Sequence, residues 1–273
     1  MNTFEKLTEA TAFLQPFNEA GAKAGVILGS GLGNFIQEMT VTKEISYDQI
    51  PHFPVSTVEG HQGKLIFGSI AGKPVIAMAG RFHFYEGYSP EEVVFPVRVM
   101  KFLGVETLLI SNAAGGVDPL LKVGDLMIIT DQISFATVNP LLGRNDDRLG
   151  PRFPDMSEPY KKDLVRKAKA IAARLGIELK EGVYFGVTGP TFETRAEYRM
   201  IHSLGGDAVG MSTVQEVIAA NHAGMNVFAV SVITDIGIRE DDNIITHEEV
   251  LQAAKEAEPK FSSIFREMIA SLD

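Results

Sequence analysis

With 273 residues, 45% of them hydrophobic, the chain can bury a large core as one big α/β domain or two small ones. Its formal net charge of -10 argues against nucleic acid as a partner, because phosphate backbones need a basic face, and requires any small anionic ligand to be captured by local cations and backbone N–H groups. No cysteine is present, which excludes disulfides and thiolate metal sites and fits a reducing cytoplasm; residues 1–14 lack the pattern of a signal peptide, and no apolar run is long enough to cross a membrane.

Residues 3–20 carry apolar side chains at helical spacing (Phe4, Leu7, Ala10, Phe13, Leu14, Phe17) and predict an amphipathic helix. Gly25-Val26-Ile27-Leu28 predicts a short buried strand running into Gly29-Ser30-Gly31-Leu32-Gly33. Residues 64–70 and 73–79 predict strands paired around an Ala71-Gly72 turn. A helix is expected over 89–103, with Pro90 near its start. A buried strand over 105–111 follows, ending in Asn112-Ala113-Ala114-Gly115-Gly116, and another is expected over 126–130. Residues 135–160, rich in Pro, Gly, Asn, Asp and Arg, predict a long loop of functional or interface character. A helix over 160–175, a strand over 183–187, a helix over 195–204 and a short strand over 207–209 come next. A helix over 213–223, a strong strand over 227–233 and a last helix from 247 to about 271 complete the order. Strands alternating with helices, with no linker between them, imply one α/β domain over 1–273, a central mixed, partly parallel sheet flanked by helices on both faces. Ligands bind outside the carboxyl ends of strands in such folds.

The polar motifs fall at those ends. Arg81-Phe82-His83-Phe84-Tyr85-Glu86-Gly87-Tyr88 follows the apolar run 74–80. Arg81 and His83 are two apart, so an extended chain points both the same way, a pairing suited to an anion with several oxygens. The other reading is a surface loop in which Arg81 pairs with Glu86. The 29–33 run is an anion loop or a tight turn; Asn34 stands where a dinucleotide fingerprint needs its third Gly, and a Walker ending is absent. The 112–116 run allows close approach of a ligand, or is merely a turn. Ser212, before a helix, is a ligand-binding hydroxyl or an N-cap. Glu193, near Arg195, is a site carboxylate or half of a surface ion pair. Asp235, closing the most apolar strand, is a site carboxylate or a turn residue. His61 precedes a strand, and His247 begins the last helix. The six histidines show no paired ligand spacing, so no metal site is expected. No Gly-x-Ser-x-Gly elbow supports a serine hydrolase.

These motifs form an ordered set: Gly-Ser-Gly-Leu-Gly (29–33), Gly-His-x-Gly (60–63), Gly-Arg-Phe-His-x-Tyr-Glu-Gly-Tyr (80–88), Asn-Ala-Ala-Gly-Gly (112–116), Asn-Pro-Leu (139–141), Arg-Phe-Pro-x-Met-Ser (152–157), Gly-Pro-Thr-Phe-Glu-Thr (189–194), Val-Gly-Met-Ser-Thr (209–213) and His-Glu-Glu-Val (247–250). Through nearly its whole length the chain resembles the trimeric, low-molecular-mass purine nucleoside phosphorylases. The resemblance implies a nucleoside phosphorylase-like fold and a cytoplasmic homotrimer. It implies phosphorolysis of purine ribonucleosides and 2′-deoxyribonucleosides in purine salvage, giving free base and (deoxy)ribose 1-phosphate. Inorganic phosphate would be co-substrate, with no metal or organic cofactor. Phosphate would be bound by Ser30, Arg81, His83, Ser212 and the backbone N–H of Ala113, with His61 beside them. Tyr85 and Met211 would hold the ribose, with Val209 also against the nucleoside and His247 facing the 5′-hydroxyl. Phe192 would pack on the purine and Glu193 would bond its N1 edge. His83, Glu193 and Asp235 would carry the catalysis, with Glu86 orienting His83.

The chain departs from that family in two places. Members that cleave inosine and guanosine usually end the 227–233 strand in Thr-Asn, and here it ends in Thr234-Asp235. An ionised carboxylate only accepts hydrogen bonds, which favours a 6-amino group; a protonated one can donate to N7. Acceptance of adenosine beside inosine and guanosine is therefore expected. The related methylthioadenosine phosphorylases share an Asp here and are the alternative reading, although Gly237 replaces their second Asp and His61 and His247 suit a hydroxylated sugar. A non-catalytic nucleoside-binding protein is the alternative of another class. The second departure is in loops: the 133–140 segment is shorter than in mammalian members, with Phe135 the candidate for a contact with a neighbouring subunit's site, and 235–247 is also shorter.

Overall fold

A computed structural model of the chain describes residues 1–58, 61–238 and 245–272. Gly60 of the Gly-His-x-Gly motif and residues 239–244 within the shortened 235–247 stretch lie outside the described residues.

The chain opens with α1 (Thr3–Leu14), whose start is held by a reciprocal capping box between Asn2 and Glu5. Pro16 then lies in a short 3-10 turn, Gln15–Phe17, so the α-helix stops short of the expected residue 20. The buried strand β1 (Ala24–Leu28) follows. Strand β2 (Thr40–Ser46) was not legible, because only Ile45 is buried and the rest of it is an exposed, charged edge. The hairpin of β3 (Lys64–Ile70) and β4 (Lys73–Ala79) turns at Ala71 and Gly72, as expected. Next come α2 (Pro90–Phe102), β5 (Thr107–Gly116) and β6 (Leu126–Ile133). The remaining elements are α3 (Lys162–Leu175), β7 (Leu179–Gly186), α4 (Arg195–Ser203), β8 (Ala208–Gly210), α5 (Val214–His222), β9 (Asn226–Ile236) and α6 (His247–Ala270).

Among the described residues, nine strands join one mixed sheet in the order β2-β3-β4-β1-β5-β8-β7-β6-β9. Because β9 also pairs with β5 along almost its whole length, the strands β5, β8, β7, β6 and β9 close on themselves. Helices α1, α2 and α5 pack their apolar sides on one face, and α3 and α6 on the other, as the alternation of elements implied. Val227, Phe228, Ala229, Val230, Val232 and Ile233 are all buried, each of the larger side chains contributing about 1.5–3 kcal/mol of burial.

Two strands differ from expectation in ways that build the site. The Asn112-Ala113-Ala114-Gly115-Gly116 run is not a turn after β5 but its last five residues. Nor does Asp235 follow β9: it lies inside it, next to a bulge. Ala114 pairs with Ile233 and Gly115 with Asp235, so Thr234 is the extra residue. Bulges of this kind re-aim side chains, and here Thr234 and Asp235 in succession both border the same cavity.

Candidate active site

The site originates in a mismatch of strand lengths. Along one edge of β5, pairing with β1 ends at Ile110 and pairing with the next partner, β8, begins at Gly115. Residues 111–114 thus have an open edge, and Asn112, Ala113 and Ala114 line a cavity of about 340 Å³ there. Successive residues of a strand present their N–H and C=O groups to alternate edges. The Ser111 carbonyl on this open edge accepts from Arg81 Nη1 at 2.7 Å, so Ala113, two residues on, offers its N–H to the same side.

Arg81 follows β4 and is 1% exposed. Its Nε and Nη2 donate to the two carboxylate oxygens of Glu216 at 2.9 and 3.0 Å. Neither sequence reading anticipated that partner: Arg81 pairs with a buried carboxylate on α5, not with Glu86. Gly29 lies against this arrangement so closely that a Cβ there would stand 2.7 Å from Asn112 Cα and 3.2 Å from Arg81 Nη1. The 29–33 run therefore has a packing function as well as delivering Ser30 to the cavity.

Glu86 is bonded instead to His83, accepting from its backbone N–H at 2.8 Å and lying 2.9 Å from Nδ1. It also accepts from Thr57 N and Oγ1 at 2.9 and 2.6 Å. Burial alone would raise the Glu86 pKa, but the bonds from His83 and Thr57 outweigh it and hold the carboxyl at about 2. The His83 pKa is lowered, chiefly by burial, against the pull of Glu86. A neutral His83 with Nδ1–H on Glu86 keeps Nε2 as an acceptor. The His83 ring stacks between Tyr85, at a centroid distance of 4.7 Å, and His61, at 5.4 Å.

His61 does not border the cavity but supports a residue that does. Its Nε2 is 3.2 Å from Ser30 Oγ, and its Nδ1 lies 3.2 Å from Arg81 N and 3.1 Å from Arg81 O, so either tautomer has a partner. Burial, with the neighbouring His83 and Arg81, lowers its pKa to about 3, which makes it a neutral ring at physiological pH.

Ser212 borders the cavity at the start of α5. The N-cap position is Thr213 rather than Ser212, and no side chain caps the helix there. Thr213 has φ 71° and ψ -56°, and Val214 N donates to Ser212 O at 2.7 Å across it, which makes a γ-turn, a strained conformation for a β-branched residue. The Thr213 Oγ1 accepts from Asn112 Nδ2 at 2.9 Å and lies 3.0 Å from Ser212 Oγ, tying α5 to β5.

The far end of the cavity is different in character. Phe192, Glu193, Val209, Met211, Thr234, Asp235 and, from the first turn of α6, His247 border it together with Tyr85. Phe192 is 43% exposed. Burial raises the Glu193 pKa, and the charge of Asp235 adds to that shift. Gly237 sits beneath the ring of Tyr198: a Cβ there would be 2.3 Å from Tyr198 Cδ1. Phe135 borders no part of this cavity; it is 71% exposed, its ring 5.4 Å from that of Phe185. Among the described residues no group of three or more His, Asp or Glu side chains could hold a metal ion, and no helix is long and apolar enough to cross a membrane.

Of the residues singled out in the sequence, Ser30, Arg81, His83, Tyr85, Ala113, Phe192, Glu193, Val209, Met211, Ser212, Asp235 and His247 come together around one cavity. Glu216, Ser111 and Thr57 were missed. Glu216 lies in the first turn of α5, where an acidic residue normally reads as a partner for the helix dipole.

This combination of a mixed sheet with a donor-rich slot at one strand's open edge defines a class. The family model described as Phosphorylase superfamily matches residues 23–270. Within that superfamily, the chain is 49% identical over 269 residues to purine nucleoside phosphorylase 1 of Bacillus subtilis (strain 168), covering 98% of this chain and 99% of the relative. Isoform 2 of purine nucleoside phosphorylase from Schistosoma mansoni, solved with cytosine and ribose-1-phosphate, superposes with a TM-score of 0.94 at 43% identity, covering 99% of this chain and 97% of that one. The Schistosoma mansoni purine nucleoside phosphorylase solved with adenosine gives a TM-score of 0.94 at 40% identity, covering 98% of each chain. The chain belongs to the purine nucleoside phosphorylases of the phosphorylase superfamily.

Proposed function

We propose that the protein catalyses phosphorolysis of purine ribonucleosides and 2′-deoxyribonucleosides, releasing the free base and (deoxy)ribose 1-phosphate. One observation carries the reading. Arg81 bonds Ser111 on the open edge of β5, while Asp235, on the strand β9 that pairs with the other edge, lies level with Gly115; both border the cavity, and their separation along β5 of about 13 Å accommodates a phosphate, a pentose and a purine in line. Relatives named purine nucleoside phosphorylase support it.

Phosphate would lie against Ser30, Arg81, His83, Ser212 and the N–H of Ala113, with His61 holding Ser30 in place. A neutral His83 Nε2 accepts the remaining proton of hydrogen phosphate. The ribose would rest on Tyr85 and Met211, its 5′-hydroxyl toward His247, with Phe192 and Val209 against the base. The bond from C1′ to the purine nitrogen breaks through an oxocarbenium-like sugar. A phosphate oxygen beneath C1′ stabilises that cation and then bonds to it. The purine leaves with the electron pair and takes up a proton. Phosphate is a co-substrate, and this sequence of steps calls on no metal or organic cofactor.

Glu193 and Asp235 would read the base with one proton between them. With Glu193 ionised and Asp235 protonated, the pair accepts from N1–H and donates to N7 or a 6-oxo group, which fits inosine and guanosine. With the proton on Glu193, it donates to N1 and accepts from a 6-amino group, which fits adenosine. Burial of Glu193 supports the second state. The methylthioadenosine reading is disfavoured by Gly237, since a second Asp there would collide with the Tyr198 ring. We further propose a single domain over 1–273 and a cytoplasmic homotrimer, with the exposed Phe135 reaching a neighbouring subunit.

The deciding experiment is purine release from inosine, guanosine, adenosine and 5′-methylthioadenosine, with and without phosphate. Phosphate-dependent release from the first three is expected. Equal release without phosphate would indicate a hydrolase, none under either condition a binding protein, and a dominant rate on 5′-methylthioadenosine the alternative enzyme.

A further inference from the structure

Glu216 is a buried carboxylate, 2% exposed, that the proposed reaction does not use. Its two oxygens take the Nε and Nη2 edge of Arg81, and Ser111 O takes one Nη1 hydrogen. A guanidinium has five N–H donors in a rigid plane, so these three bonds leave one N–H on each terminal nitrogen. Arg81 itself borders the cavity. A buried arginine held on two sides has no freedom to swing. Its plane is set by α5 through Glu216 and by β5 through Ser111.

Ser212 lies just before this turn of α5, and the entry to the helix is fixed by the Asn112 to Thr213 bond and the strained γ-turn at Thr213. Strain of this kind persists where surrounding bonds over-determine it. One helix start therefore registers two groups on the anion slot, the Ser212 hydroxyl directly and the Arg81 guanidinium through Glu216. We propose that Glu216 is a positioning residue for the phosphate subsite: it aims the two remaining N–H groups of Arg81 at the phosphate and touches no substrate itself. The inference rests on the phosphate role proposed above for this cavity.

The test compares Glu216→Gln and Glu216→Asp with the wild type, using inorganic phosphate as the probe. Calorimetric titration of phosphate into the free enzyme is read first, then the KM for phosphate and for inosine. Glu216→Gln is expected to weaken phosphate binding and raise its KM about tenfold or more, since displacement of a positioning group by about 1 Å can cost a hundredfold. The inosine KM should stay within about threefold. Glu216→Asp, which keeps the charge on a shorter stem, should recover part of the loss. Equal changes in both KM values, or unchanged or tighter phosphate binding in Glu216→Gln, would overturn the proposal.

Removing one partner of a buried pair leaves the other charge uncompensated and can destabilise the fold, so a double variant guards against misfolding. Arg81→Met with Glu216→Gln removes both charges together. If Glu216 acts through Arg81, the double variant binds phosphate as weakly as Arg81→Met alone; additive losses would overturn the proposal. Calorimetry also separates the two readings. A chain that binds phosphate in a Glu216-dependent way yet releases no purine would break the proposed activity and leave this inference standing.

Discussion

The two ends of the cavity are built on different principles. At the end proposed for phosphate, Arg81, His83 and His61 are each bonded to a second protein group, and the first two are less than 7% exposed. At the end proposed for the base, Phe192 is 43% exposed, and burial raises the Glu193 pKa with the charge of Asp235 adding to the shift. One end is a fixed set of donors, which the proposed reaction assigns to phosphate; the other carries two carboxyl groups, which it assigns to reading the base. The net charge of -10 implied capture of an anion by local cations and backbone N–H groups. The cation at the anion slot is already neutralised by Glu216, so the slot works through aimed N–H and O–H donors rather than through excess positive charge.

If that contrast holds, Arg81→Ala is the most damaging change. Losing two charge-assisted bonds of about 1.5 kcal/mol each should raise the phosphate KM about a hundredfold, with the inosine KM little altered; equal rises would show that Arg81 is not a phosphate ligand. Next comes Asp235→Asn. An amide cannot share a proton with Glu193, so the kcat/KM ratio of inosine to adenosine should rise about tenfold or more. An unchanged ratio would mean that Asp235 does not read the 6-position.

Phe192→Ala removes a ring that is only partly covered, and a rise of about fivefold in nucleoside KM is expected, roughly 1 kcal/mol of lost packing, with the phosphate KM constant. The smallest effect concerns stability. The folded-state pKa of Glu86 is depressed to about 2 from an ordinary 4.5, so its contribution is present above about pH 4.5 and lost as the pH falls through 2. Glu86→Gln should make acid unfolding flatter across that window, as followed by circular dichroism; an identical acid titration would show that the His83 to Glu86 unit adds no stability.

Much of this molecule is local in origin and could be read along the chain. The alternation of apolar runs with helical spacing determined the order of elements, because burial periodicity is written residue by residue. The ordered motifs identified nearly every residue that borders the cavity, including His83 with Glu86, three residues apart. Contacts between distant segments could not be read in that way. Glu216 lies 135 residues from Arg81, and nothing in its helix distinguishes it from an ordinary first-turn acid. The 112–116 run looks like a turn because small residues mark turns, yet it is strand, and its open edge exists only because pairing with β1 stops at Ile110 and pairing with β8 starts at Gly115. Likewise the bulge at Thr234 is a property of β5 and β9 together. Sequence dictated which side chains are available to border the cavity; strand lengths and register, set by packing across the whole sheet, decided where the slot opens and which partner holds Arg81.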